Sequence, residues 1–279
     1  MSYSIESITE SIGARRMGNA PATIDWLLTD SRSLNFPEET LFFALTTKRN
    51  DGARYITDLY ARGVRNFVLS EESFRLMDNG QLTIDNAMQR DDAQSIVNYL
   101  IVPNPLKALQ KLAEQHRNQF QIPVIGITGS NGKTVVKEWL HQLLSPERAI
   151  IRSPRSYNSQ IGVPLSVWQM NEQSELAIFE AGISEPGEMR ALQNIIKPTI
   201  GILTNIGGAH QENFFSLQEK CMEKLTLFND CEAIIYDGDD LFIANCIESA
   251  CLSHKAIAWS RTDSEAPLFI ESIDKKEFE

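Results

Sequence analysis

Gly129-Ser130-Asn131-Gly132-Lys133-Thr134 is the stretch of this 279-residue chain with the clearest chemical content. Closely spaced glycines let backbone N–H groups turn toward one anion, and a lysine followed by a hydroxyl residue adds a cation and an oxygen ligand for a divalent metal. The general phosphate loop is GxxxxGK[ST], whose first glycine would fall at position 127, where this chain has Ile127. The pattern misses by one residue, but the physics survives. An apolar, strand-like run precedes the glycines and an amphipathic run, residues 133–144, follows them. A helix starting there offers its amino terminus to phosphate, Lys133 reaches the terminal phosphates, and the Thr134 hydroxyl can ligate Mg²⁺.

Other polar groups end neighbouring apolar runs. Glu180 closes one of them, where a carboxylate reads either as a surface acid or, beside a phosphate loop, as a Mg²⁺ ligand held directly or through water. The next run leads into Asn205 and His210, and the histidine reads as a solvated loop residue, a metal ligand or a phosphate contact. Lys224 raises a different question. Its neighbours at i−7, i−3 and i+4 are Leu217, Cys221 and Phe228, which places an ammonium on the apolar stripe of a helix. Either its stem snorkels and the head stays in water, or the amine is desolvated, its pKa falls, and the neutral form can react, for example with CO₂.

These residues need a scaffold that brings strand ends together. From residue 123 apolar runs alternate with amphipathic ones: 123–129 with 133–144, 148–153 with 162–170, 175–182 with 186–196, 199–207 with 216–228, and 231–238 with 241–252, before a last run at 255–260. Continuous apolar strands separated by helices predict an α/β fold with a parallel sheet covered on both faces, whose chemistry lies in the loops after the strands. The first hundred residues carry shorter strand-like runs at 23–32, 40–45 and 65–70, with a helical stretch at 53–64, and read as a small α/β domain. Asn104 as an N-cap, Pro105 at the first helical position, and Leu106, Leu109, Leu112 and Ala113 at helical spacing mark a new helix. The domain boundary is expected at that cap, giving domains 1–104 and 105–279.

With 42% hydrophobic and 23% charged residues, the composition is that of a soluble globular protein long enough for about two domains. The formal net charge of −11 speaks against a nucleic-acid binder, which needs a basic face, but leaves room for one local anion site. Residues 1–10 lack the basic and apolar regions of a secretory signal, and no run of about 18 apolar residues occurs, so no membrane insertion and a cytoplasmic location are expected. Cys221, Cys231, Cys246 and Cys251 show no metal-ligand spacing and read as reduced thiols, which fits the same compartment.

In this order, "GITGSNGKT" (126–134), "YNSQIGVPLS" (157–166), "EAGISEPGEM" (180–189) and "TNIGGAH" (204–210) followed by Lys224 resemble the Mur ligase family of ATP-dependent amide-bond-forming enzymes, whose phosphate loop has this variant form. The resemblance covers nearly the whole chain. It implies a small N-terminal α/β domain that binds a uridine nucleotide, then a P-loop parallel-sheet ATPase domain, incomplete here at its carboxyl end. "LLTDSR" (27–32), "LFFAL" (41–45) and "NDGA" (50–53) are most similar to the branch that joins D-alanyl-D-alanine to UDP-N-acetylmuramoyl-tripeptide in peptidoglycan precursor synthesis.

By this resemblance ATP phosphorylates the terminal carboxylate of the UDP-linked peptide, and the incoming amine attacks the acyl phosphate. Gly129, Ser130, Asn131, Gly132, Lys133 and Thr134 would hold the nucleotide, with Lys133 stabilising charge on the transferring phosphoryl group. Thr134 and Glu180 would hold one Mg²⁺, and His210 would stand at a second. Lys224 matches a lysine that is carbamylated, which turns a cation into an anion able to support metal. Asn205 joins Lys133, His210 and Lys224 in the catalytic set. Asn158 falls on a substrate-facing loop, and Ser31 and Arg32 match positions associated with the uridine nucleotide, where arginine suits a bidentate grip on phosphate.

Some residues depart from the family pattern: Thr47 and Ala53 stand where relatives often carry Gly and His, and Ser156 and Ser159 where asparagines are common. The chain stops at residue 279 as a further strand begins, so a fragment is expected, without the rest of the ATP domain or a third domain that helps to bind the amino-acid substrate. Such a fragment is expected to ligate inefficiently, because domain closure assembles such sites. The motifs leave open another Mur-type ligase, including one of folylpolyglutamate type, a P-loop kinase or GTPase, and a nucleotide-binding module without catalysis.

Overall fold

Apolar runs with no polar face must be covered on both sides, and the computed structural model, which describes residues 1–47, 50–78, 96–208 and 213–274, covers them in two units, Met1–Gln115 and His116–Glu279. In the first unit α1 (Ile5–Ile12) is capped by Ser4, whose hydroxyl accepts from Ser7 N at 3.1 Å, and precedes β1 (Arg15–Met17). Then come β2 (Trp26–Leu28), β3 (Thr40–Phe43), α2 (Ile56–Ala61), β4 (Asn66–Ser70), α3 (Glu71–Asp78) and β5 (Asn98–Val102). The sheet order is β1-β5-β4-β3-β2, parallel except for β1. Phe42, Phe67 and Leu69 from the strands meet Ile56 and Leu59 from α2 in its core. The helical stretch expected at 53–64 divides into a 3₁₀ turn, Gly52–Tyr55, and α2.

The cap at Asn104 forms: its side chain accepts from Lys107 N at 3.0 Å and starts α4 (Pro105–Arg117). The division between units falls near the other end of this helix. Gln115 Nε2 donates to Ser11 O at 3.2 Å, whereas His116 Nε2 meets Met170 O at 3.0 Å and Arg117 donates to Ile196 O at 2.9 Å, so hydrogen bonding changes sides between Gln115 and His116.

The second unit follows the expected alternation. Its elements are β6 (Val124–Thr128), α5 (Lys133–Leu144), β7 (Ile150–Arg152), α6 (Gly162–Val167), β8 (Leu176–Glu180), α7 (Glu188–Ile196), β9 (Ile200–Leu203), α8 (Leu217–Leu225), β10 (Ala233–Asp237), α9 (Leu241–Ser249), β11 (Ala256–Ser260) and β12 (Leu268–Phe269). All seven strands are parallel, in the order β7-β8-β6-β9-β10-β11-β12. Val136, Leu140 and Leu144 of α5 pack on Ile125, Ile127, Leu176 and Ile178. After β6 the chain moves to one side of the sheet, then returns to the other. The order therefore reverses at β6, and the crevice outside its carboxyl end is where open α/β sheets bind ligands.

Several helices of this unit are shorter than their sequence runs. Run 162–170 keeps one six-residue helix, and run 216–228 passes from α8 into a 3₁₀ turn at Thr226–Phe228. Among the described residues no helix is long and apolar enough to cross a membrane. The cysteines are all free thiols, with Cys221, Cys231 and Cys246 buried and Cys251 exposed.

Candidate nucleotide site

The loop after β6 is shaped by close approach. Gly129 has φ +146°, and a Cβ there would stand 2.0 Å from Thr204 Oγ1 and 3.0 Å from Asn205 N, so the Thr204 hydroxyl and the Asn205 backbone, in the loop after β9, occupy the space a side chain would take. That second loop braces the first. Ser130 N donates to Asn205 O at 2.8 Å, Asn131 N to Asn205 Oδ1 at 3.0 Å, and Thr204 Oγ1 to Asn131 O at 2.6 Å. Asn205, expected in the catalytic set, is thus placed as a support of the loop. The N–H groups of Ser130 and Asn131, expected to face phosphate, are directed to it instead. The remaining positive pole is the amino terminus of α5, which Gly132 enters at φ +82°.

Lys133 Nζ folds over the loop and donates to Gly129 O at 2.8 Å and Ser130 O at 3.2 Å. Burial lowers its pKa, with Lys220 adding to the fall and Glu180 opposing it. One residue on, Thr134 Oγ1 donates to Glu180 Oε2 at 3.1 Å and lies 3.3 Å from Ser156 Oγ. Asn158 Nδ2 is 3.4 Å from the same Glu180 oxygen, which brings together three residues that stand far apart in the chain. Glu180 is fully buried at the end of β8, level with Ile127 of β6.

A buried carboxylate needs a counter-charge, and Lys137 supplies it. Lys137, one turn after Lys133 on α5, lies 2.9 Å from Glu180 Oε1, and neither side chain is exposed. Sequence reasoning missed this residue although the signal was present: Lys137 shares a helical stripe with Leu140 and Leu144, the same anomaly that singled out Lys224. Lys220, four residues before Lys224, was missed too. It is buried and donates to Gly207 O at 2.5 Å, while Gly207 N donates to Ser130 Oγ at 2.8 Å.

Lys224 is 3% exposed and donates to Gly129 O at 3.2 Å. Burial, then the charges of Lys133 and Lys220, bring its pKa down to about 7, so a large fraction of the amine is neutral at physiological pH. Its burial meets the desolvated alternative rather than the snorkelling one. His210 lies outside the described residues.

Ser31 and Arg32 belong to the first unit, on a 3₁₀ turn, Ser31–Ser33, capped by Asp30. The Arg32 fork is closed on that same Asp30, Nε to Oδ1 at 2.9 Å and Nη2 to Oδ2 at 2.6 Å, and it holds the Asp30 carboxyl below its ordinary range. Ser31 O accepts from Arg62 Nη1 at 2.8 Å. A cavity of about 550 Å³ in the second unit, lined by Arg117, Phe120, Pro123, Lys197, Thr199 and Glu232, opens at the amino ends of the strands, the opposite ends from Lys133, Thr134 and Glu180.

Comparison with known proteins matches residues 127–279 to the Mur ligase middle domain. The chain belongs to the Mur ligase family. Among curated Mur ligases, the UDP-N-acetylmuramoyl-tripeptide–D-alanyl-D-alanine ligase of Borreliella burgdorferi is 32% identical over 236 residues, 84% of this chain and 47% of that protein. The ligase of that name from Bacillus subtilis is 29% identical over 225 residues, 80% of this chain and 45% of the relative. The chain thus spans about half the length of the curated relatives it matches. A crystal structure of MurF from Acinetobacter baumannii shares the fold at a TM-score of 0.81 and 23% identity, covering 98% of this chain and 56% of that one. MurF of Thermotoga maritima in complex with ADP aligns at 0.66 and 23% identity, over 85% and 50% of the two chains.

The residues around Thr134 suit the Mg²⁺ that the family implies. They offer hard oxygens, from the Thr134 and Ser156 hydroxyls and one carboxylate. Among the described residues no group of three His, Cys, Asp or Glu gathers as a metal cage. One carboxylate and a hydroxyl beside a phosphate site is the sparse protein contribution that Mg²⁺ accepts, since it keeps waters and phosphate oxygens as its other ligands.

Proposed function

We propose that this chain carries the nucleotide site and the UDP-substrate domain of an ATP-dependent ligase that adds D-alanyl-D-alanine to UDP-N-acetylmuramoyl-tripeptide in the cytoplasm, in peptidoglycan precursor synthesis. The observation that carries the nucleotide site is the Thr134–Glu180 pair, held at the strand-order reversal beside Lys133 and the amino terminus of α5. The relatives that share the middle domain supply the substrate pair.

In this reading Lys133 leaves the loop carbonyls for the terminal phosphates and balances the charge that builds on the transferring phosphoryl group. Asn205 keeps the loop in register through Asn131 N. Thr134 and Glu180 hold Mg²⁺, which when bound neutralises phosphate charge. His210 is assigned to a second Mg²⁺. The neutral Lys224 amine adds CO₂ to give a carbamate and releases a proton, which places an anion beside Gly129. Asn158 orients the carboxylate side of the site toward the UDP-linked peptide. In the unit Met1–Gln115, Ser31 and Arg32 receive the uridine nucleotide, the Arg32 fork exchanging Asp30 for phosphate.

Phosphate release from ATP by the protein carrying this chain tests the reading, with UDP-muramoyl-tripeptide present and the acceptor varied. Release that requires D-alanyl-D-alanine is expected. Release with a single amino acid or with folate would assign another branch of the family, and no release with any acceptor would leave a binding module.

A further inference from the structure

Lys137 has no part in the mechanism above, yet its ammonium is placed with unusual completeness. It donates to Ser153 O at 2.8 Å and to Arg155 O, and lies 2.9 Å from Glu180 Oε1 and 3.2 Å from Glu138 Oε1. Two of its three hydrogens are thus directed to carbonyls of the loop after β7. Glu180 Oε1 meets the cation as charge but has no donor in hydrogen-bonding geometry among the described residues. Its other oxygen, Oε2, faces Thr134 Oγ1 and Asn158 Nδ2.

The last torsion of a glutamate is broad, so the plane of its carboxylate is set by what surrounds it. On one side of Glu180 stands Lys137, on the other the Thr134 hydroxyl. The same ammonium anchors the backbone at Ser153 and Arg155, directly ahead of Ser156, whose hydroxyl lies 3.3 Å from Thr134 Oγ1, and of Asn158. Ser153 also turns its own hydroxyl to Glu180 N at 3.2 Å. One buried cation therefore touches every segment that brings an oxygen to the site: α5, the loop after β7 and the end of β8.

We propose that Lys137 is a positioning residue of the metal site, setting the plane of the Glu180 carboxylate toward Thr134 and holding the loop that carries Ser156 and Asn158. The inference rests on the assignment of Thr134 and Glu180 to Mg²⁺.

The test uses Mn²⁺ as the probe, titrated into the 279-residue chain with ADP and followed by the electron paramagnetic resonance of free Mn²⁺; ADP binding in EDTA is measured alongside. Lys137→Met is expected to weaken Mn²⁺ at least about tenfold, the size typical of losing a group that orients a metal ligand, while ADP affinity in EDTA stays within about twofold. A structural defect alone would lower both together, and that result, or unchanged Mn²⁺ affinity, overturns the proposal. Glu180→Gln separates the two layers. Undiminished Mn²⁺ binding in Glu180→Gln sinks the metal assignment itself, whereas loss there with wild-type behaviour in Lys137→Met sinks only the role of Lys137. Should Lys137→Met fail to fold, Lys137→Arg keeps the cation with a wider, planar head and is expected to show the same selective loss. Wild-type Mn²⁺ affinity in Lys137→Arg, or failure of both variants to fold, assigns Lys137 to the fold alone.

Discussion

The two places expected to meet phosphate are built in opposite ways. Behind the half-buried Thr134 the charged groups are buried: Lys137 and Glu180 pair and expose nothing, and Lys224 is 3% exposed. At Ser31 and Arg32 the guanidinium side chain is 87% exposed and paired within its own turn. A buried pair costs desolvation and returns a fixed orientation, because neither partner can leave without stranding the other. An exposed pair is worth little and can be exchanged for another anion. The first arrangement suits a reaction that needs oxygens at set positions; the second suits a grip that closes when its ligand arrives.

Substitution should expose that difference in size. Glu180→Ala strands the buried Lys137 ammonium and is expected to cost about 3–5 kcal/mol in denaturant unfolding. A loss under about 1 kcal/mol would show that Glu138 satisfies Lys137 alone, and the contrast between the two regions would weaken. Lys133→Ala is expected to slow ATP-dependent phosphate release at least 100-fold, by about 2.7 kcal/mol of transition-state stabilisation, with the fold intact. Near-normal release would remove the loop from the chemistry.

Burial in the second unit should also make it the acid-sensitive one. Burial brings the pKa of His116 down to about 4, partly offset by its bond to Met170 O, while an unfolded histidine titrates near 6.5. The unfolded chain takes up the proton first, so this stability is present above about pH 6.5 and lost as pH falls toward 4. His116→Gln should remove most of that loss, about 3 kcal/mol at ~1.36 kcal/mol per pKa unit, read from unfolding free energies measured between pH 7 and pH 4. An unchanged loss would mean that another group dominates. Arg32→Ala stands at the other extreme. It should change stability by less than about 0.5 kcal/mol while weakening the binding of UDP-linked substrate, and a larger stability change would show that the Asp30–Arg32 turn is a fixed element after all.

Much of the candidate nucleotide site was legible because its signals are local. A strand, two glycines, a lysine and a threonine follow each other within one strand-turn-helix, and periodicity alone marks Lys224 as a lysine out of place. Asn205 was legible as a loop residue but not as a brace, since its bond to Asn131 N joins positions 74 residues apart. Lys137 lay in plain view on an apolar stripe, but its meaning depends on Glu180, 43 residues later. The Arg32 turn was legible as a place for a cation. Its closure on Asp30 depends on the side-chain torsions of both residues, which residue types do not specify.

By itself the sequence determined which segments become strands and helices, the glycine-lined turn between β6 and α5, and the presence of a lysine where only apolar side chains should be. Those are consequences of periodicity and backbone freedom, which act over a few residues. The tertiary structure alone decided that β6 lies between β8 and β9, and so that Thr134, Glu180 and the loop after β9 meet at one crevice. Strand order depends on how amphipathic faces share a common core, and that competition is settled between segments distant in the chain.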